Sequence, residues 1–135
     1  MFSSFALAVF FLGAVATPAI PAIAECPTPD GEKILELLDR APTCSKALSL
    51  FEACSYGASG DVGLSEVVVK KCEGDFLTRL SASQRQTYYR KQKWCARKYQ
   101  KESGTMYRSF EAFCSANLAK IYSQRFRKGV QQQGE

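Results

Sequence analysis

The densest chemistry in this sequence lies between Gln84 and Lys101. Seven basic side chains stand there, Arg85, Arg90, Lys91, Lys93, Arg97, Lys98 and Lys101, with no acid among them. On a helix, at about 100° per residue, Tyr88, Cys95 and Tyr99 form one narrow stripe that should face a core. Arg90, Lys93, Arg97, Lys98 and Lys101 fall on the opposite side, with Trp94 among them. A tryptophan on a cationic face has two readings. It anchors a partner, since Trp and Arg dominate interface hot spots, or it shelters under neighbouring Lys and Arg stems. Arg90, Lys93, Trp94, Arg97, Lys98 and Lys101 are therefore the candidate partner-binding set.

Covalent and acid–base chemistry is poorly provided for. The chain has no histidine, so the commonest general base is missing. Its six cysteines are at 26, 44, 54, 72, 95 and 114. An even count in a small exported chain reads as three disulfides, which leaves no thiolate nucleophile. Zinc sites usually need closely spaced cysteine pairs or histidine, and neither is present. Glu32 and Glu36 are neighbours on a helix, and Glu73 and Asp75 are close in sequence. Paired carboxylates serve glycosidases, but acids at this spacing are ordinary on helix surfaces. The expectation is a protein that is not an enzyme, with no metal and no cofactor.

The export premise comes from the N-terminus. Phe5 to Ala16 is an unbroken apolar run of 12 residues, the length of a signal-peptide core and too short for a membrane span of roughly 20. Pro18 and Pro21 break it, and Ala22-Ile23-Ala24 supplies the small residues signal peptidase accepts. Met1-Phe2-Ser3-Ser4 carries no basic side chain. Residues 1–24 read as a signal peptide, 25–128 as a disulfide-bonded helical domain, and 129–135 as a polar flexible tail. The expected location is the periplasm or the exterior, with no transmembrane span after cleavage. A domain of this size supports a core of modest stability.

Charge is unevenly placed. Residues 25–82 carry 6 basic and 10 acidic side chains, whereas residues 83–135 carry 12 basic and 3 acidic. That asymmetry suits an anionic partner and is silent about fold.

The elements that must position this chemistry are helical. Asp30 can cap a first helix with an Ile34, Leu35, Leu37, Leu38 stripe, ended by Pro42. Thr43 can cap a second, whose Cys44, Ala47, Leu48, Phe51 and Cys54 repeat with a helical period. Tyr56–Gly63 is glycine-rich but lacks the ending of a phosphate loop, and reads as an interhelical turn. A third helix is expected from Leu64 to Leu80. Ser83 with Gln86 fits a capping box for a fourth, reaching Ser103, with Gly104 as its stop. A fifth is expected from Thr105 to about Arg125, with Met106, Phe110, Phe113, Cys114, Leu118, Ile121 and Tyr122 facing the core. The fold class is all-α, a small antiparallel bundle of four to five helices braced by three disulfides.

Residues equidistant from a helical turn lie level across an antiparallel pair. Cys95 and Cys114 are level about Gly104. Cys54 and Cys72 are level about Gly63, and Cys72 and Cys95 about Ser83. Spacing alone cannot choose among the connectivities. The preferred set is Cys26–Cys44, Cys54–Cys72 and Cys95–Cys114. Its rival keeps Cys26–Cys44 and joins Cys72–Cys95 and Cys54–Cys114.

Gln86, Tyr89, Arg90 and Cys95, then Gly104-Thr105, Cys114, Leu118 and Arg125, form a pattern over residues 76–126. In these residues the chain resembles the LprI-like lysozyme inhibitor family, small exported helical proteins of bacterial envelopes. The family's Asp-x-x-Leu-Asn stretch has no counterpart in Val68–Asp75. The resemblance implies a protein partner, a lysozyme-like enzyme, with the basic side chains around Trp94 entering its acidic cleft. The basic half itself suggests an anionic envelope component, lipid or polysaccharide, as the alternative. A structural or accessory domain without ligand is the third reading. Export argues against nucleic acid.

Overall fold

A computed structural model describes residues 25–132, with side chains described through residue 129. The signal-peptide assignment therefore lies outside the described residues. Five helices follow one another: α1 (Gly31–Arg40), α2 (Cys44–Cys54), α3 (Asp61–Glu73), α4 (Ala82–Tyr99) and α5 (Thr105–Gln132). A 3₁₀ turn at Leu77–Arg79 precedes α4. No strand occurs among the described residues, so the fold is the expected all-α bundle. None of the described helices is long and apolar enough to cross a membrane.

The first two helices start where their caps dictate. Asp30 Oδ1 accepts from the backbone N–H of Glu32 (3.0 Å) and Lys33 (3.3 Å), satisfying donors that the first turn leaves unpaired. Thr43 Oγ1 accepts from the Lys46 N–H at 3.2 Å. Cys44, Ala47, Leu48, Phe51 and Cys54 are all buried, as the α2 period requires.

Helix α3 departs from expectation at both ends. It begins at Asp61, before Gly63, because the Asp61 carboxylate gathers the preceding loop onto the helix N-terminus. It accepts from the backbone N–H of Tyr56 (2.7 Å), Gly57 (3.0 Å) and Ala58 (3.3 Å), and from Ser109 Oγ on α5 (2.6 Å). Asp61 is fully buried, and its negative charge suits the positive end of the helix dipole. The loop turns through Gly57 at φ 67°, a conformation that favours glycine. At the other end α3 stops at Glu73, not Leu80. Phe76 still reaches the core, but from a turn in which its N–H bonds Glu73 O at 3.1 Å. Asp75 in that turn accepts a hydrogen bond from Ser123 Oγ on α5.

The early start of α3 explains the disulfides. The bonds are Cys26–Cys54, Cys44–Cys72 and Cys95–Cys114, so the expected Cys26–Cys44 and Cys54–Cys72 are both corrected. The equidistance rule holds, but its pivot moves. With Gly63 inside α3, the α2–α3 turn centres near position 58, and the 28-residue separation of Cys44 and Cys72 places each 14 residues from it. Cys54 is left at the end of α2, where the extended leader brings Cys26. Cys95–Cys114 forms as expected, and all six cysteines are bonded.

Helix α5 turns a different face to the core than its large side chains suggest. Its buried residues are Ser109, Ala112, Ala116, Ala119 and Ser123, a 3-4-3-4 stripe of small side chains. Met106, Phe110 and Ile121, expected inside, are 51%, 42% and 44% exposed. Helix α5 makes its most extensive contact with α3. Side chains at the contact set the distance between helix axes, so small ones let two helices approach closely. Ala112, Ala116 and Ala119 join one core with Ile34, Leu38, Leu48, Phe51, Leu64 and Val68. Ala116→Leu should therefore overpack the seam and destabilise by about 1–3 kcal/mol, read as a lower urea midpoint. The helix also runs on to Gln132.

Helix α4 closes a second core. Phe76, Leu80 and Tyr88 are buried with Tyr122 and Phe126 packed against them. Leu80 must enter this core directly after the 3₁₀ turn, which sets the start of α4 two residues earlier than expected. The capping box is Ser81/Gln84, not Ser83/Gln86. Ser81 Oγ accepts from the Gln84 N–H (3.2 Å), and Gln84 Oε1 accepts from the Ser81 N–H (2.9 Å). The helix ends at Tyr99 instead of Ser103, and Gly104, at φ 112°, makes the turn into α5.

Candidate functional site

The basic face rests on a fixed helix. Cys95 is buried on the inner side of α4 and bonded to Cys114 of α5. Two turns earlier, Tyr88 is buried and donates from its hydroxyl to Glu73 Oε1 at 2.9 Å. Gln92 Nε2 donates to the Tyr88 hydroxyl (2.8 Å) and to the Ser115 carbonyl (3.2 Å). Arg108 donates to the Tyr99 carbonyl at 2.7 Å, satisfying an acceptor at the helix end. Its other guanidinium nitrogen lies 2.7 Å from Glu111 Oε2, the counter-charge for that buried oxygen. A disulfide and side-chain hydrogen bonds thus hold α4 at three levels, around Tyr88, Cys95 and Tyr99.

Burial pushes the Tyr88 phenol well above the ordinary tyrosine range; the Gln92 hydrogen bond opposes this and the Glu73 carboxylate adds to it. The folded state therefore keeps a proton that the unfolded chain releases above the ordinary value of 10.0. The sign follows: this contribution to stability is complete below pH 10 and declines above it, by about 1.4 kcal/mol per pH unit from this one group. Urea unfolding followed from pH 8 to 11 should show that decline in the native protein and a shallower one in Tyr88→Phe.

With Tyr88 and Cys95 inside and Tyr99 half-buried, the predicted core stripe is placed as expected. Arg90, Lys93, Trp94, Arg97, Lys98 and Lys101 are all exposed. The first five share the outer face of α4, and Lys101 follows in the turn after it. Trp94 is 52% exposed. Lys98 Nζ lies 5.2 Å from its ring and 5.0 Å from that of Tyr99, so one cation covers part of the indole without removing it from solvent. Among the described residues the ion pairs are Lys33–Asp30, Arg40–Glu36 and Arg108–Glu111. None involves a basic residue of α4, whose charge is therefore not paired among the described residues.

Apart from exposed Glu102, which follows Lys101 in the turn, the acids considered lie elsewhere. Glu66, Glu73 and Glu111 line a groove of about 320 Å³ between α3, α4 and α5, with Lys70, Tyr89 and Gln92. Of the pairs marked in the sequence, Glu36 is tied to Arg40 on exposed α1, Glu73 to Tyr88, and Asp75 to Ser123. Glu73 and Asp75 thus tie the end of α3 and the turn after it to α4 and α5, whereas the exposed Glu36–Arg40 pair lies within one helix and contributes little.

Sequence reasoning missed the apolar surface beside the basic face, because it assigned Met106, Phe110 and Ile121 to the core. The signal was present in the serine and alanine stripe of α5, whose spacing marks the true inner face. Lys91 and Arg125 were also left out of the candidate set. They bracket the Tyr122 ring at 5.6 and 5.9 Å.

Fold and site together define a class: a disulfide-braced helical bundle that presents a rigid cationic helix with an exposed indole. No protein-family model, no curated protein and no solved structure matches the chain.

Proposed function

We propose that this is an exported binding protein that engages an anionic envelope component through the outer face of α4. The observation that carries this reading is the uncompensated charge around an exposed Trp94 on a helix anchored by Cys95–Cys114. A surface like this attracts extended polyanions through summed charge, and its attraction falls as salt rises. Of the carboxylates marked in the sequence, Glu36, Glu73 and Asp75 are engaged by Arg40, Tyr88 and Ser123. Three disulfides are compatible with an oxidising compartment.

The test is retention on an immobilised polyanion. The native protein should bind at 50 mM salt and elute steeply well below 1 M. Arg90→Glu/Arg97→Glu/Lys98→Glu should flow through at the same low salt, with unchanged helical circular dichroism. Salt-independent retention, or none, would reject the reading.

Inhibition of a lysozyme-type enzyme is the second reading. It is supported by the Cys95–Cys114 staple and the Gly104 turn, both parts of the pattern in which the chain resembles that family. Many lysozymes are themselves basic, and like charge slows encounter. A turbidity assay decides it: absence of inhibition at micromolar protein across lysozyme types would remove it.

A further inference from the structure

The α4–α5 pair has two sides. One faces the acidic groove, which takes Tyr89 and Gln92 from α4 and Glu111, Ala112 and Ser115 from α5. At about 100° per residue, Trp94 is turned 140–200° from Tyr89 and Gln92, and Phe110 is turned 100–200° from Glu111, Ala112 and Ser115. Both therefore look out of the opposite side. They belong to one patch. Lys98 lies over Trp94 and Tyr99, and the Tyr99 ring is 5.8 Å from that of Phe110. Ile121 continues the line along α5, three turns beyond Phe110, with Lys91 and Arg125 both against the Tyr122 ring.

Two large apolar side chains, Phe110 and Ile121, and an indole are thus left partly in water beside cations that make no ion pair among the described residues. A charged polysaccharide would use the cations and gain little from Phe110 or Ile121. A second copy of the chain would cover the apolar groups but bring two cationic faces together. An anionic bilayer satisfies both. Tryptophan settles at the membrane–water interface, aliphatic and phenyl groups enter the acyl boundary, and long basic side chains reach the phosphates.

We propose that this face docks on an anionic lipid bilayer, with Trp94, Phe110 and Ile121 entering the interface and Lys91, Lys98 and Arg125 meeting lipid phosphates. The proposal rests on the binding role of α4 and narrows its ligand to a membrane surface.

The test uses vesicles of phosphatidylglycerol and phosphatidylcholine in equal parts, against phosphatidylcholine alone and against soluble dextran sulfate. Trp94 is the one tryptophan in the chain, so its emission reports the face directly. The native protein should co-sediment with the anionic vesicles, shift its emission to the blue, and be quenched by lipid brominated on the acyl chain. Phe110→Ser/Ile121→Ser should weaken binding at least tenfold, and Lys91→Gln and Lys98→Gln about fivefold each. The paired comparison cancels any contribution of residues 1–24. Quenching in the native protein stands as evidence even if a variant folds poorly. Binding to vesicles without a blue shift or quenching would overturn insertion. Binding to dextran sulfate alone would overturn the bilayer and leave the role of α4 standing. Binding to neither would overturn both. A dimer abolished by Phe110→Ser would assign the face to a second copy instead.

Discussion

Replacing Cys44 and Cys72 together by alanine should lower the unfolding free energy by about 3–4 kcal/mol and the thermal midpoint by roughly 10–15 °C. The reason is chain entropy. The bond closes a 28-residue separation, and a loop of that size restricts the unfolded ensemble by an amount of this order. Both cysteines are also buried in the main core, between α2 and α3, so truncation leaves unfilled space as well. Calorimetry of the double variant measures the effect. Cys26→Ala/Cys54→Ala has the same separation, but Cys26 sits half-buried in the extended leader. Its loss should therefore cost less than that of Cys44–Cys72. If the two variants fall equally, core packing adds nothing to the inner bond.

Asp61→Ala should cost about 3–5 kcal/mol. Its carboxylate accepts four hydrogen bonds, three from the turn at Tyr56–Ala58 and one from Ser109 on α5. Hydrogen bonds to a charged group contribute about 1.5–3 kcal/mol each, and a buried donor left unpaired costs more than the bond was worth. Some of the freed turn N–H groups can recover water, which sets the sum below four full bonds. Asp61→Asn should recover only part of the loss, because an amide offers one accepting atom where both carboxylate oxygens are used. Urea unfolding by circular dichroism reads both variants. A loss under 1 kcal/mol for alanine would mean that the turn holds itself.

These two positions mark where the sequence could and could not be read. Asp30 and Thr43 announce their helices because a capping side chain stands directly before a helical apolar period. Asp61 is instead the first residue of α3 and binds the turn before it without capping the helix, and its signal lies among Gly57, Gly60 and Gly63. Gly63 looks like loop and lies inside the helix, where it touches nothing within 4 Å of its missing Cβ. That single misplacement moved the turn centre and produced the wrong partners for Cys26, Cys44, Cys54 and Cys72. The Cys95–Cys114 bond was legible because Gly104 really is the turn. At the start of α4, Ser81 and Ser83 both carry a glutamine three residues on, and only the burial of Leu80 decides between them.

The inner face of α5 was hidden for a different reason. Expecting the largest apolar residues inside assumes that helices stand apart by the width of such side chains. Here α3 and α5 meet across Ala112, Ala116 and Ala119, and the bulky residues are displaced to the flanks. Phe113 finds Phe51 of α2 at 4.7 Å, while Phe110 and Ile121 find solvent. The basic face of α4 needed no such tertiary information. Cys95 and Tyr88 fix the inward direction, so the wheel alone places Arg90, Lys93, Trp94, Arg97 and Lys98 outside. Its apolar margin, supplied by a second helix, could emerge only from the fold.

Everything proposed for this protein converges on one surface, and residue-resolved exchange of backbone amides can locate it. Hydrogen–deuterium exchange is compared with and without a saturating polyanion at low salt. Protection gained between Arg90 and Lys101, and absent from α1 and the groove side of α3, is the predicted result. Protection that maps instead to the acidic groove, or a footprint unchanged by the polyanion, would contradict the assignment of α4 as the binding face.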